Sequence, residues 1–216
     1  MTLHIEVERL AVTGITLIGN LRVVVAPGQI HTVMGPSGSG KSSLLAAVCG
    51  TLDARLRFEG SVTLQGRHLD ALPTEARRIG ILFQDDLLFP HMNVAVDPLF
   101  AVPAGPRPQR NALVAKGLGA LEMQHFAHAD PATLSGGQRS GIALMRALLA
   151  QPQALLLDEP FSRLDKALRA CIREFVFALV RTRQIPVLLA THDDADIADP
   201  THVTLLGNAT AAQAHA

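Results

Sequence analysis

Tyrosine and tryptophan are absent from the 216 residues, and phenylalanine occurs eight times. Cysteine is scarce: Cys49 and Cys171 form no CxxC pair. That excludes a disulfide framework and a cysteine zinc site, and the two read as buried, reduced thiols. Neither sign of charge dominates, with 19 basic and 19 acidic side chains. A general-purpose nucleic-acid binder carries a basic surplus, so no nucleic-acid partner is expected. No apolar run approaches the ~18 residues that span a bilayer. The first residues, Met1, Thr2, Leu3 and His4, do not open a basic region followed by an apolar stretch, so no secretory leader is expected. The chain reads as a cytoplasmic protein that reaches a membrane only through a partner. Histidine is frequent, at nine, yet no pair has HExxH spacing. With 48% hydrophobic and 18% charged residues, the chain can fill one core and a subdomain.

The pattern along the chain is that of an α/β protein. Residues 3–8, 21–26 and 61–65 are β-rich and bounded by Gly, Asn and Pro, which predicts an antiparallel β subdomain near the N-terminus. Short apolar strands over 30–34, 79–83, 154–157, 187–190 and 203–206 alternate with helical patterns. This is the signature of a mostly parallel central sheet. Residues 85–134 open with several prolines and continue into a helical pattern over 111–126, which predicts an inserted helical subdomain. Ile142, Met145, Leu148 and Leu149 then fall at helical spacing over 138–150, and Gln151 and Pro152 stop that helix. The expected division is a core of 1–84 and 135–208, the helical insert 85–134, and a frayed Ala-rich tail over 209–216.

Residues 35–42 fit G-x-x-x-x-G-K-[ST] between a strand and a helix. Gly35, Pro36, Ser37, Gly38, Ser39 and Gly40 let the backbone wrap a phosphate with its N–H groups turned inward. The following helix, beginning around Lys41, Ser42 and Ser43, adds partial positive charge at its tip. The Lys41 ammonium suits the β- and γ-phosphates of a bound nucleotide, and the Ser42 hydroxyl suits Mg²⁺. The strand over 154–157 ends in Asp158 and Glu159, where an open α/β sheet binds ligands. Successive residues of a strand point to opposite sides, so these carboxylates cannot share one task. Asp158 is assigned to the metal and Glu159 to orienting or deprotonating the attacking water.

Leu134, Ser135, Gly136, Gly137 and Gln138 then match the signature of ABC-type ATPases. With residues 35–42 and 155–159, they make the chain resemble this family from about residue 3 to 206, most closely the ATP-binding subunit of a bacterial importer. The resemblance implies a P-loop NTPase core, ATP and Mg²⁺ as ligands, and a head-to-tail homodimer with each ATP between one copy's P-loop and the other's signature. It makes Gln84 the glutamine that touches Mg²⁺ and the attacking water. Asp165, in Ser162-Arg163-Leu164-Asp165, becomes a residue of the dimer seam, and His192 the histidine that contacts the γ-phosphate. The implied partners are integral membrane permease subunits and, through them, a solute-binding protein. The implied place is the inner face of the cell membrane. Ser135 also has the chemistry of an N-cap, and Gly136 and Gly137 allow close backbone approach to the γ-phosphate.

Three positions depart from the family pattern. Where an aromatic residue usually stacks on adenine, this chain has Val12, Thr13, Gly14 and Ile15, which predicts weaker ATP binding or looser base selectivity. Arg163 replaces a small residue, and either pairs across the dimer or hinders close packing. After Gln138 and Arg139 many relatives have a polar residue and then Arg or Lys; here Ser140 is followed by Gly141, and an interior helix glycine costs about 1 kcal/mol against alanine. A C-terminal regulatory barrel beyond residue 206 is not expected. Residues 85–90 mix acid and apolar groups, which suits either a permease groove or an ordinary loop packing Leu and Phe inward. Transport ATPase is the leading function. A nucleotide-gated adaptor with little hydrolysis is opposed by the presence of Glu159 and His192. A non-transport ABC ATPase is opposed by the single cassette and the neutral charge.

Overall fold

A computed structural model gives the fold, with residues 1–164, 166–207 and 210–211 described. The sheets and main helices run β1 (Leu3–Val12), β2 (Ile15–Val25), β3 (Ile30–Met34), α1 (Lys41–Cys49), β4 (Leu56–Leu64), β5 (Arg67–His68), α2 (Thr74–Arg77) and β6 (Ile79–Leu82). They continue with α3 (Val96–Ala101), α4 (Arg107–Ala120), α5 (Gly136–Leu149), β7 (Ala154–Asp158), α6 (Lys166–Arg183), β8 (Val187–Thr191), β9 (Val203–Leu205) and β10 (Thr210–Ala211). The chain forms two compact units. One holds Met1–Ile81, Gln153–Glu159 and Phe177–Ala216; the other holds Leu82–Pro152 and Pro160–Val176.

The first unit carries two sheets. In β1, Leu3, Ile5, Val7 and Leu10 turn inward while Glu6 and Glu8 face out. This alternation is that of a strand buried on one face. Val12 pairs with Ile15 across the two-residue turn Thr13-Gly14, and both turn residues have positive φ, 42° and 84°. That backbone matches the twist of a hairpin. The antiparallel sheet has the order β10-β2-β1-β4-β5 and the second sheet β6-β7-β8-β3-β9. In the second sheet β7, β8, β3 and β9 pair in parallel. Every residue of β7 and β8 is buried, as expected of parallel strands covered on both faces.

Helix α1 lies in the core that both sheets share. Leu44, Leu45 and Val48 pack with Leu3, Ile5 and Leu10 on one side and Leu156 and Leu188 on the other. Full burial of each such side chain stabilises the fold by about 1.5–3 kcal/mol. The helix ends at Gly50, and the buried Arg77 guanidinium donates to the carbonyls of Ala47 and Val48 at 3.1 and 2.9 Å. The Ala47 carbonyl also accepts the Gly50 N–H at 3.2 Å, and the cation supplies further donors to the last carbonyls of the helix.

The second unit is mostly helical. Val94, Val114, Leu118, Leu134, Ile142, Met145 and Leu149 form its core. Asp97 is fully buried and is held by Arg146 at 3.0 Å and by the Phe89 N–H at 2.7 Å.

Several sequence expectations change here. The helix expected over 138–150 begins at Gly136, because Ser135 caps it. The helical pattern of 111–126 is α4 over 107–120, with Pro108 in its first turn, followed by a separate 3₁₀ turn at Gln124–Phe126. Proline is tolerated there because first-turn N–H groups lack helical partners anyway. Cys171 is exposed rather than buried, whereas Cys49 is buried, and both are free thiols. Among the described residues no helix is long and apolar enough to cross a membrane.

Candidate phosphate and catalytic site

Parallel pairing brings three strand ends to one edge of the sheet. Met34 lies opposite Thr191, and Asp158 opposite Ala190. Residues 35–40 therefore leave β3 beside the ends of β7 and β8. Gly38 and Gly40 take φ of 81° and 94°, the left-handed region that glycine enters without strain. At Gly35 a Cβ would stand 2.7 Å from Ser39 Oγ and 2.8 Å from the Leu206 carbonyl, so the chain closes tightly there. Ser39 is buried and its Oγ has no hydrogen-bond partner. Lys41 is also buried, and Nζ donates to the carbonyls of Gly35 and Pro36 at 2.7 and 3.0 Å. The ammonium is thus held on the loop itself. Pro36, Ser37 and Ser43 complete the turn and the first helical residues.

Asp158 is buried at the end of β7 beside the Ser42 hydroxyl. Burial pushes its carboxyl above the usual range, and the neighbouring Ser42 hydroxyl opposes that; Glu159 adds to the rise and Lys41 to the opposition. Its Oδ1 has no partner, a costly state for a buried carboxylate oxygen. Glu159 follows with φ of 50°, and its N–H donates to the Ala190 carbonyl at 2.9 Å. This turn brings the Glu159 carboxylate to His192 Nδ1 at 2.7 Å. The glutamate side chain is 12% exposed and the imidazole 64%, so the pair opens to solvent on the histidine side. The Thr191 hydroxyl donates to the buried Asp196 at 3.0 Å and accepts the Asp193 N–H at 3.1 Å, which fixes the backbone on either side of His192.

The signature residues lie in the second unit. Ser135 Oγ accepts the Gln138 N–H at 3.2 Å, and Gln138 Oε1 accepts the Ser135 N–H at 2.8 Å. This reciprocal pair is a capping box and sets the start of α5. At Gly137 a Cβ would meet Leu164 Cδ2 at 3.1 Å and the Arg163 carbonyl at 3.3 Å, whereas at Gly136 it would meet only Arg139 NH2, at 4.0 Å. Gly137 is small because its own chain crowds it; Gly136 leaves the helix tip open. Gln84 is exposed in the bend after β6, in this same unit. Asp165 lies outside the described residues.

Sequence reasoning missed the ion cluster beside Gln84, where buried Asp86 meets Ser140, Arg139 and Arg163. An acid in a loop gives no sign of burial, and its partners are more than 50 residues away.

The ABC transporter family model matches residues 18–162. The chain is 50% identical over 183 residues to an uncharacterized ABC transporter ATP-binding protein, YnjD of Escherichia coli K12, covering 84% of each chain. It is 36% identical over 192 residues to the sulfate/thiosulfate import ATP-binding protein CysA of Nephroselmis olivacea, covering 88% of this chain and 55% of that one. The solved structure of the ATP-binding cassette MJ0796, a dimer in a post-hydrolysis state with ADP and Pi, matches with a TM-score of 0.80. It is 26% identical, and 99% of each chain is covered.

Proposed function

The chain belongs to the ABC transporter family as an ATP-binding subunit, an ATPase that serves transport, and from that premise we propose that two copies close head to tail over two ATP molecules and drive import through separate membrane permease subunits. The observation that carries the reading is the convergence of Lys41, Ser42, Asp158, Glu159 and His192 at one sheet edge. One end of this group is built for phosphate and the other for a proton.

Residues 35–43 hold the triphosphate through backbone N–H groups, and Lys41 leaves its own loop carbonyls for the β- and γ-phosphates. The donor set fits Mg²⁺: Asp158 has a buried, unpartnered Oδ1 beside the Ser42 hydroxyl. Among the described residues no three His, Cys, Asp or Glu side chains are grouped to cage an ion. Mg²⁺ needs only one or two protein oxygens together with phosphates and waters. Ser42 and Asp158 would hold it. When bound, Mg²⁺ neutralises charge developing on the phosphate oxygens. Glu159 takes the proton of the attacking water, and His192, hydrogen-bonded to it, holds that carboxylate in place and faces the γ-phosphate. Ser135, Gly136, Gly137 and Gln138 of the other copy present the tip of α5 to the same phosphate.

Import is supported by the sulfate/thiosulfate importer among the relatives. Docking to a permease at the cytoplasmic face is supported by an apolar patch on the second unit. Phe100, Leu87 and Val96 are exposed there, and Val96, Leu99, Phe100, Arg107 and Arg110 line a hollow. A solute-binding protein would act through the permease.

Glu159→Gln tests the reading. General-base catalysis contributes about 10²–10⁴-fold, so turnover falls by a hundredfold or more while ATP traps a dimer seen by light scattering. Parental turnover in this variant would refute the base assignment.

A further inference from the structure

Arg163, which stands outside the family pattern, and Ser140 meet at a single carboxylate. Asp86 is 8% exposed. Its Oδ1 accepts the Ser140 hydroxyl at 2.6 Å. Its Oδ2 faces Arg163 NH1 at 3.3 Å and Arg139 Nε at 3.5 Å. The other arm of the Arg163 guanidinium reaches Asp85 Oδ1 at 2.9 Å. One guanidinium therefore spans two successive carboxylates immediately after Gln84. A lysine could not do so, because its ammonium is a point charge without a planar fork.

The backbone of the same arginine faces elsewhere. The Arg163 carbonyl and Leu164 lie against Gly137, in the first turn of α5, within 3.3 Å of where a Cβ would stand. Arg139, one turn into that helix, donates to the Leu134 carbonyl at 2.8 Å. Arg146, further along, donates to the Asp86 and Leu87 carbonyls at 3.1 and 2.9 Å. The segment after Gln84 is thus tied to α5 by three cations, and only Arg163 also carries the turn over 161–164. All these residues belong to one compact unit. Arg163 has its partners within its own chain, so it is neither spare for pairing with another copy nor a loose obstacle.

We propose that Arg163 is a positioning residue that fixes Asp85 and Asp86, and with them the bend that carries Gln84, against the glycine-lined tip of α5, so that this tip meets the partner's nucleotide in one geometry. The inference rests on the head-to-tail reading above. It concerns closure of the dimer rather than capture of ATP by one chain, since Lys41, Ser42 and Asp158 make none of these contacts. A buried carboxylate with two cations and a hydroxyl around it has one favourable arrangement. Removing the bridging cation leaves Asp86 with Ser140 and Arg139 and frees Asp85 altogether.

The experiment uses the full chain carrying Glu159→Gln, with two readouts: affinity for a fluorescent ATP analogue under dilute conditions, and the ATP concentration that converts half the chain to dimer. Adding Arg163→Ala leaves the first within about twofold and raises the second by about tenfold, equivalent to about 1.4 kcal/mol. Arg163→Lys falls between. Asp86→Asn combined with Arg163→Ala costs less than the sum of the two single changes, because the two share the Asp86–Arg163 contact. Unchanged dimerisation with Arg163→Ala overturns the proposal while the head-to-tail reading stands. Equal losses in both readouts overturn it too, since they mark a merely structural residue. If the Glu159→Gln chain itself stays monomeric with ATP, the head-to-tail reading falls and this proposal with it.

Discussion

At the scale of single residues, the site is a set of polar groups whose buried positions have no cheap alternative. Asp158 and Ser39 each bury an oxygen without a partner next to the phosphate loop. Unsatisfied buried atoms cost stability, so their presence beside the candidate phosphate loop is itself informative. His31, on the strand that feeds the loop, shows the same tension. Nε2 meets Thr204 Oγ1 at 2.8 Å, Nδ1 is buried without a partner, and the His202 ring stands 6.5 Å away. Burial, and secondly His202, lower its pKa below the ordinary value. The unfolded chain therefore takes up a proton near pH 6.5, which the folded chain resists. The stability tied to His31 is complete above that pH and is lost as pH falls through it. Urea midpoints at pH 7.5 and 5.5 will show a larger acid loss in the parent than in His31→Gln; equal losses would remove His31 from the account. The phosphate loop was legible in the sequence because its chemistry fixes both residue types and spacing. His31 and Asp86 were not, because their states depend on neighbours 173 and 54 residues away.

At the scale of elements, what the sequence displays is periodicity, and what it hides is the contacts that begin and end each element. The buried runs of β7 and β8, and the alternation in β1, were readable as strands. The apolar stripe alone placed the start of α5 at 138; the N-cap chemistry of Ser135 pointed to the true start, and the return bond from the Gln138 side chain that completes the capping box was not visible. Helix glycines show the same limit, since propensity alone assigns each a cost of about 1 kcal/mol against alanine. In α5, a Cβ at Gly141 would make ordinary contact with Leu121 at 3.6 Å. In α4, a Cβ at Gly117 would stand 2.3 Å from the sulfur of Met145, which is buried. Gly141→Ala is therefore expected to stabilise the chain by about 0.5–1 kcal/mol. Gly117→Ala is expected to destabilise it by about 1–3 kcal/mol through overpacking. Denaturant titrations of the two variants separate these outcomes, and the same sign for both would show that space does not decide.

At the scale of the whole molecule, the phosphate loop and the signature tip belong to different compact units of one chain. In the head-to-tail reading each chain supplies half of two sites, so no single copy contains a complete one. The kinetic consequence is specific. In dilute solution without a permease, the rate of hydrolysis rises as the square of chain concentration, so activity per chain doubles when concentration doubles, until dimers predominate. A complete site within one chain would keep activity per chain constant. The charge balance adds a second expectation. With 19 cationic and 19 anionic side chains, two copies carry no net repulsion for salt to screen. Association between strongly charged partners changes steeply with ionic strength, whereas here the dimer midpoint should move by less than about threefold between roughly 50 and 500 mM salt. Activity measured across a concentration series at those two salt levels tests both. Constant activity per chain would rule out the shared site, and a steep salt effect would show that local charged patches, rather than the net balance, govern how the copies meet.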